Sequence, residues 1–84
     1  MTPKLIVYST HATGRMVLRG ISRADVRGVL ATGLYEPVPT RAGGEARHAK
    51  RAYLGGREAK VVYVENATRV LVLTVEWTDE RRQR

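Results

Sequence analysis

Two short loops divide the C-terminal half of the chain into three strand-forming segments. Gly55-Gly56 separates residues 47–54 from residues 57–65, and Asn66-Ala67 separates the second segment from residues 68–77. Loops of this length and composition are typical of β-hairpins. The sequence therefore predicts a three-stranded antiparallel meander, which limits the rest of the chain to elements that can cover a small sheet.

The third segment of the meander is apolar on both of its faces. Side chains alternate along a strand, so odd and even positions lie on opposite faces. One face is assigned Leu71, Leu73, Val75 and Trp77, and the other Val70, Val72 and Thr74. Such a strand is expected at the centre of a sheet that helices cover on one side.

The N-terminal region predicts a short strand and a first helix. Residues 5–8 form an apolar segment of β type. Ser9 and Thr10 can cap a helix that begins near His11 and ends at Gly20. The inner side of this helix is assigned Ala12, Met16 and Leu18.

A second helix is predicted over residues 23–32. Ser22 and Asp25 have the spacing of a capping box at its start. Gly33 is placed to end it in the left-handed conformation. Ile21, directly before the cap, can pack on Val26 at the fourth helical position. The apolar stripe of the helix consists of Val26, Val29 and Leu30.

Residues 34–45 predict a connector, because Pro37 and Pro39 interrupt a strand ladder. The order of elements is then a short N-terminal strand, two helices and the three-stranded antiparallel meander. This order predicts an α+β fold with both helices on one side of the sheet. Residues 1–78 are expected to form one domain, and residues 79–84 a basic polar tail.

The net charge is strongly basic and unevenly distributed. The 84 residues include 15 Lys+Arg and 8 Asp+Glu, a formal charge of +7, of which residues 1–57 carry +7, residues 58–80 carry −3 and residues 81–84 carry +3. Most of the cations are arginine, whose planar guanidinium matches phosphate. Both a nucleic-acid-binding protein and a merely soluble basic domain are expected to have this composition.

The composition also excludes several kinds of site. The absence of cysteine excludes disulfides, thiolate zinc sites and iron–sulfur clusters. The two histidines lie 37 positions apart without clustered carboxylates, so no metal is predicted, and no glycine motif predicts a cofactor. The longest apolar runs, of about four residues, are too short to span a bilayer. We therefore expect a cytoplasmic protein with an anionic partner.

The first helix carries the strongest candidate for chemistry. His11, Arg15 and Arg19 recur at every fourth position and so form one stripe on the helix surface. An imidazole can exchange a proton near neutral pH, and a guanidinium can hold a phosphate and stabilise its developing charge. The alternative is that His11 is an ordinary cap or surface residue.

A second basic cluster occupies the first strand of the meander. Strand alternation places His48 and Lys50 on one face and Arg47, Arg51 and Tyr53 on the other. The two arginines could hold a nucleic-acid backbone while Tyr53 stacks on a base. The alternative is an edge strand whose charges protect it from aggregation.

Several of these residues together resemble a family of small bacterial domains of unknown function. The resemblance extends over residues 9–78. It rests on His11-x-x-x-Arg15-Met16, Arg19-Gly20-Ile21-Ser22, Asp25-Val26, Leu30 and the closing strand Leu73-Thr74-Val75.

That family is similar in fold to the RelE-like and BrnT-like toxins of bacterial toxin–antitoxin systems, which are small basic endoribonucleases. The resemblance implies metal-independent RNA cleavage by attack of the 2′-hydroxyl on the adjacent phosphate, and an antitoxin protein as partner. In this reaction His11 would serve as general base or acid, with Arg15 and Arg51 holding the phosphate. Only His11 and Arg15 match positions of the family's motif; Arg51 is assigned from the basic cluster of the first meander strand. Lys50 and Thr74 would be secondary contacts or the missing proton donor.

Three functional hypotheses follow from the sequence. The first is a RelE-like ribonuclease toxin that acts on RNA, either free or on the ribosome. The second is a basic module that binds nucleic acid without cleaving it. The third is a protein-interaction domain whose acidic segment, residues 58–80, pairs with a basic partner.

Overall fold

The computed structural model describes residues 4–39 and 43–79, and in these ranges the chain forms five strands and two helices. Along the chain they are β1 (Leu5–Tyr8), α1 (Thr10–Arg19), α2 (Arg23–Thr32), β2 (Leu34–Val38), β3 (Arg47–Leu54), β4 (Arg57–Glu65) and β5 (Arg69–Trp77). The predicted α+β class and the predicted meander are confirmed, with one strand more than the sequence indicated.

All five strands form one mixed sheet in the order β1-β5-β4-β3-β2. β1 pairs with β5 in parallel, and the other neighbouring strands are antiparallel. The prediction that β5 is a central strand is therefore confirmed. Because β1 lies beside β5, α1 starts next to the middle of β5, where the Ser9 backbone N–H donates to the Val72 carbonyl at 3.0 Å.

Both loops of the meander form as predicted. Gly55 and Gly56 have φ values of 61° and 90°, and two successive positive φ values are the geometry of a type I′ hairpin turn. In the second loop the Asn66 side-chain oxygen accepts hydrogen bonds from the backbone N–H groups of Thr68 and Arg69, at 2.9 and 3.0 Å. Asparagine stabilises turns through such local bonds.

The prediction of a connector after α2 is wrong for residues 34–38, which form strand β2. β2 lies at the edge of the sheet and, among the five described strands, pairs only with β3, with Pro37 opposite His48. Proline cannot donate a ladder hydrogen bond, but an edge strand tolerates this loss because one side of it has no partner strand. Residues 40–42 of the predicted connector lie outside the described residues.

Strict alternation along β5 is also wrong, because a bulge interrupts it. Thr74 pairs with Val62, but Val72 pairs with Tyr63, so Leu73 is an extra residue between them. A bulge shifts all residues beyond it to the other face. The residues of β5 in the helix-packed core are consequently Val72, Val75 and Trp77.

Helix α1 has the predicted ends. The Ser9 hydroxyl accepts from the Ala12 N–H at 3.0 Å, and Gly20 ends the helix with a φ of 68° while its N–H bonds to the Met16 carbonyl. The assignment of Leu18 to the inner side is wrong, since its side chain is 70% exposed. Leu18 is two residues beyond buried Met16, about 200° further around the helix.

Helix α2 begins with the predicted capping box. The Ser22 hydroxyl accepts from the Asp25 N–H, and the Asp25 carboxylate accepts from the Ser22 N–H, both at 3.0 Å. Ile21 and Val26 are buried in the same cluster on either side of this cap. This reciprocal capping satisfies two backbone donors at the start of the helix.

Gly33 follows α2 as predicted, but its conformation is different. Its φ is −69°, an extended backbone rather than the left-handed one. A Cβ at this position would lie 2.5 Å from the Val29 carbonyl oxygen and 3.0 Å from the Arg51 carbonyl oxygen. Glycine is therefore required mainly by the last turn of α2 itself, through the Val29 carbonyl, and secondarily by the neighbouring backbone of β3 at Arg51.

Both helices pack against the same face of the sheet, which we call the helix face; the other is the open face. The core between the helices and this face consists of Ala12, Met16, Ile21, Val26, Val29, Ala59, Val61, Val72, Val75 and Trp77. Strand pairing places Arg51, Lys60 and Glu76 on the open face. The fold thus presents two different surfaces, the outside of the helices and the open face.

The start of the predicted tail is attached to the sheet. The Arg57 guanidinium pairs with the Asp79 carboxylate at 3.0 Å, and the Thr78 hydroxyl donates to Glu58 at 2.9 Å. The rest of the predicted tail, residues 80–84, lies outside the described residues. Within the described part of the chain, neither helix is long and apolar enough to cross a membrane.

Candidate nucleic-acid interface

His11 and Arg15 lie together on the surface of α1. The Arg15 Nε donates to His11 Nε2 at 3.3 Å, across one turn of the helix. Ser9 fixes the start of this helix on the sheet, because its hydroxyl donates to the Leu73 carbonyl at 3.1 Å. An exposed imidazole and a guanidinium are thus held side by side near the N-terminus of α1, while their functional role stays a prediction.

A further arginine approaches the same region from α2. The Arg23 guanidinium carbon lies 5.2 Å from the centre of the Tyr8 ring, a distance at which a cation is attracted to the face of an aromatic ring. Tyr8 is the last residue of β1 and precedes His11 by three residues. The sequence pattern did not indicate this contact, because it joins two elements through the fold.

Arg19 lies at the other end of α1. Its carbonyl accepts a hydrogen bond from the Trp77 indole N–H at 3.1 Å, which fastens the end of the helix to β5. With Leu18, Arg57 and Trp77 it lines a cavity of about 250 Å³. Arg19 is therefore on the helical side of the molecule, one helix length away from the start of α1.

Arg51 does not lie near His11. It is on the open face, where its guanidinium pairs with Glu36 at 3.0 Å and with Glu58 at 3.6 Å. Lys60 on the neighbouring strand pairs with Glu36 at 3.0 Å. The predicted joint action of His11 and Arg51 on one phosphate would require them to be on the same side of the sheet, and the fold separates them.

The other residues assigned to phosphate or RNA contacts are also divided between the faces. The open face holds Arg47, Tyr53 and Thr74, of which Tyr53 is 71% exposed. Lys50 is on the helix face, where its ammonium donates to the Leu30 carbonyl at 2.7 Å. This bond satisfies a carbonyl in the last turn of α2, so the lysine stabilises the helix end.

Sequence reasoning missed a cluster formed by Tyr35, His48 and Tyr63 on adjacent strands. The Tyr35 hydroxyl lies 2.6 Å from His48 Nδ1, and the His48 ring also packs against Tyr63, with ring centres 5.5 Å apart. Burial of the Tyr63 hydroxyl, assisted by nearby Glu65, raises the pKa of Tyr63 above its usual value. The apolar and aromatic residues at the start of segment 34–38 indicated strand β2, but Pro37 led to the prediction of a connector.

Among the described residues, no group of three or more His, Cys, Asp or Glu side chains is arranged to hold a metal ion. The candidate site therefore consists of cations, an imidazole and aromatic rings. Such groups bind anions and exchange protons.

The architecture and this basic surface define a small α+β domain with two helices on one face of a mixed sheet. A comparison with known families matches residues 8–77 to a domain of unknown function, DUF4258. The match covers most of the chain, which therefore belongs to this family, and the predicted membership of an uncharacterised family of small domains is confirmed. Neither a curated protein nor a solved structure matches the chain.

Proposed function

We propose that the protein is a metal-independent endoribonuclease of the kind found in RelE-like toxins. The contact between His11 and Arg15 at the exposed start of α1 is the observation that carries the proposal. It places a group that can accept a proton next to a group that can hold a phosphate. The order of a strand, two helices and an antiparallel meander is compatible with such toxins.

The chemistry requires few groups. When phosphate binds, the Arg15 guanidinium donates to the phosphoryl oxygens instead of to His11 Nε2, which frees this nitrogen to accept a proton. His11 then removes the proton of a ribose 2′-hydroxyl, and the 2′-oxygen attacks the adjacent phosphorus. The bond from phosphorus to the 5′-oxygen breaks, and the leaving oxygen takes a proton from water, which gives a 2′,3′-cyclic phosphate and a 5′-hydroxyl. Arg15 stabilises the negative charge that develops on the phosphoryl oxygens.

The test is RNA cleavage in the presence of a chelator, followed on a 5′-labelled RNA. General base catalysis contributes about 10²- to 10⁴-fold to a rate, so His11→Ala should reduce cleavage by at least about 10²-fold. His48→Ala is the matched control, because it removes the second imidazole from another part of the molecule. Equal cleavage by wild type and His11→Ala would reject the proposed endoribonuclease activity of this protein.

We further propose that a partner antitoxin protein neutralises this activity in the cell. Expression of the isolated protein should then stop growth of a bacterial host, and His11→Ala should restore it. Normal growth of a host that accumulates folded wild-type protein would contradict the toxin hypothesis.

A second candidate is a basic module that binds RNA without cleaving it. The division of the assigned residues between two faces favours it, since only His11 and Arg15 of the three catalytic candidates are in contact. This candidate requires salt-sensitive RNA binding whose salt dependence His11→Ala leaves unchanged, because this substitution removes no arginine. If this candidate is right, RNA incubated with the wild-type protein stays intact.

A further inference from the structure

The helical layer and the open face differ in how their charges are paired. Residues 10–32 contain four arginines and a single carboxylate, that of Asp25. This carboxylate is already bound to the Ser22 N–H in the capping box. Among the described residues, no carboxylate forms an ion pair with Arg15, Arg23 or Arg27.

On the open face, carboxylates neutralise the central cations. Glu36 bonds to both Arg51 and Lys60, each at 3.0 Å, and strand pairing places Glu76 opposite Lys60. Glu58 also pairs with Arg51, at 3.6 Å. A phosphate that entered this cluster would meet three carboxylates and two cations, and like charges at close range oppose binding.

The contact between Arg23 and Tyr8 links α2 to the site on α1. The Arg23 guanidinium lies over the Tyr8 ring, and Tyr8 is the last residue of β1, three positions before His11. Arg27 is one turn further along α2, so it lies on the same side of that helix and is exposed. Two pairs of side chains, each spaced by four residues, thus line the outside of the two helices.

We propose that the backbone of single-stranded RNA binds across the outside of the helices, with Arg23 and Arg27 of α2 extending the surface that His11 and Arg15 form on α1. The open face does not contact the RNA backbone. The inference rests on the RNA-binding part of the proposed function and is independent of cleavage. Arginine suits this role because its donors match phosphate oxygens.

Binding of a labelled 2′-O-methyl oligouridylate, followed by fluorescence anisotropy over a range of salt concentrations, tests this assignment. The 2′-O-methyl group removes the attacking hydroxyl, so the probe stays intact whether or not the protein cleaves RNA. Each phosphate contact to a single strand contributes about 0.7 to the slope of log affinity against log salt. Arg27→Gln should lower this slope by about 0.7 and weaken binding about 5-fold at ~0.1 M salt, and the Arg23→Gln/Arg27→Gln double variant by about 1.4 and 25-fold.

Arg69→Gln is the matched control. Arg69 is exposed on the open face and, within the described ranges, forms no ion pair, so its substitution removes the same charge from the other side of the sheet. The slope should stay at the wild-type value. Thermal unfolding of each variant confirms that it is folded, and Arg27→Gln alone decides the matter if loss of the Arg23–Tyr8 contact destabilises the double variant.

The outcomes separate this inference from the proposed function. An unchanged slope for Arg27→Gln, or an equal decrease for Arg69→Gln, would overturn the assignment of RNA to the helices while leaving RNA binding intact. Failure of the wild type to bind the probe would reject RNA binding itself, and with it this surface. Binding with the expected slopes but without cleavage of unmodified RNA would support RNA binding on the helices and reject the proposed endoribonuclease activity.

Discussion

Replacing Gly33 by alanine should destabilise the protein, for a steric reason that its backbone angles do not reveal. Its φ of −69° and ψ of 159° are open to any residue. The added Cβ would lie 2.5 Å from the Val29 carbonyl oxygen, 3.0 Å from the Arg51 carbonyl oxygen and 3.1 Å from the Lys50 Cβ. Two of these three contacts are backbone atoms, which cannot rotate away as a side chain could.

The cost can be worked from these distances. Relief of the shortest contact to 3.4 Å requires a displacement of about 0.9 Å, and the same Val29 carbonyl accepts the Gly33 N–H at 2.8 Å. Overpacking of this kind costs about 1–3 kcal/mol. A domain of this size has about 4–13 kcal/mol in total, so the loss is a substantial fraction of its stability.

Gly28→Ala is the matched control within the same helix. A Cβ at Gly28 meets nothing within 4 Å, and alanine favours a helix interior over glycine by about 1 kcal/mol. Urea unfolding should therefore show opposite changes in the free energy of unfolding, an increase for Gly28→Ala and a decrease for Gly33→Ala. A Gly33→Ala variant as stable as the wild type would show that the Val29 carbonyl and β3 move away from the added Cβ at no cost, and the steric explanation would be wrong.

Three further changes test the packing around the helices. Tyr8→Phe should raise the free energy of unfolding by about 1 kcal/mol in a urea titration, because the Tyr8 hydroxyl is buried without a hydrogen-bond partner among the described residues. Ser22→Ala should lower it by about 1 kcal/mol through loss of the capping box. Burial, and to a lesser extent Glu65, raise the pKa of Tyr63, so stability should be fully present below pH ~10 and fall as the pH rises through the folded-state pKa. Tyr63→Phe should flatten this alkaline decline, and an unchanged decline would assign it to other groups.

Local signals in the sequence were sufficient for the helices and turns. The capping box of Ser22 and Asp25, the cap at Ser9 and the turn at Gly55-Gly56 each depend on residues a few positions apart. These caps and turns are stabilised by hydrogen bonds and backbone angles of residues close together in the sequence, so a sequence pattern identifies them directly.

The features that the sequence did not predict depend on contacts between distant residues. The bulge at Leu73 exists only in the pairing of β4 with β5. β2 forms because β3 supplies its single neighbour, which compensates for Pro37. Gly33 is extended and not left-handed where the chain leaves α2 and enters β2 at the next residue. In each case tertiary packing decides between local alternatives.

The candidate site also depends on contacts between residues that are distant in the sequence. These contacts decide which of the cations counted in the net charge are neutralised. The excess of cations in residues 1–57 is correct as a sum, but Arg51 in that segment is neutralised by Glu58 from the acidic segment and by Glu36. Arg27, only 24 positions earlier, has no such partner among the described residues. Charge that is polarised along the chain is therefore also distributed unevenly across the sheet, with ion pairs at the centre of the open face, whereas Arg15, Arg23 and Arg27 on the helices form no ion pair with a described carboxylate. A bound phosphate must compete with any carboxylate already in place, which is the reason that the proposed RNA surface lies on these three arginines and not on Arg51.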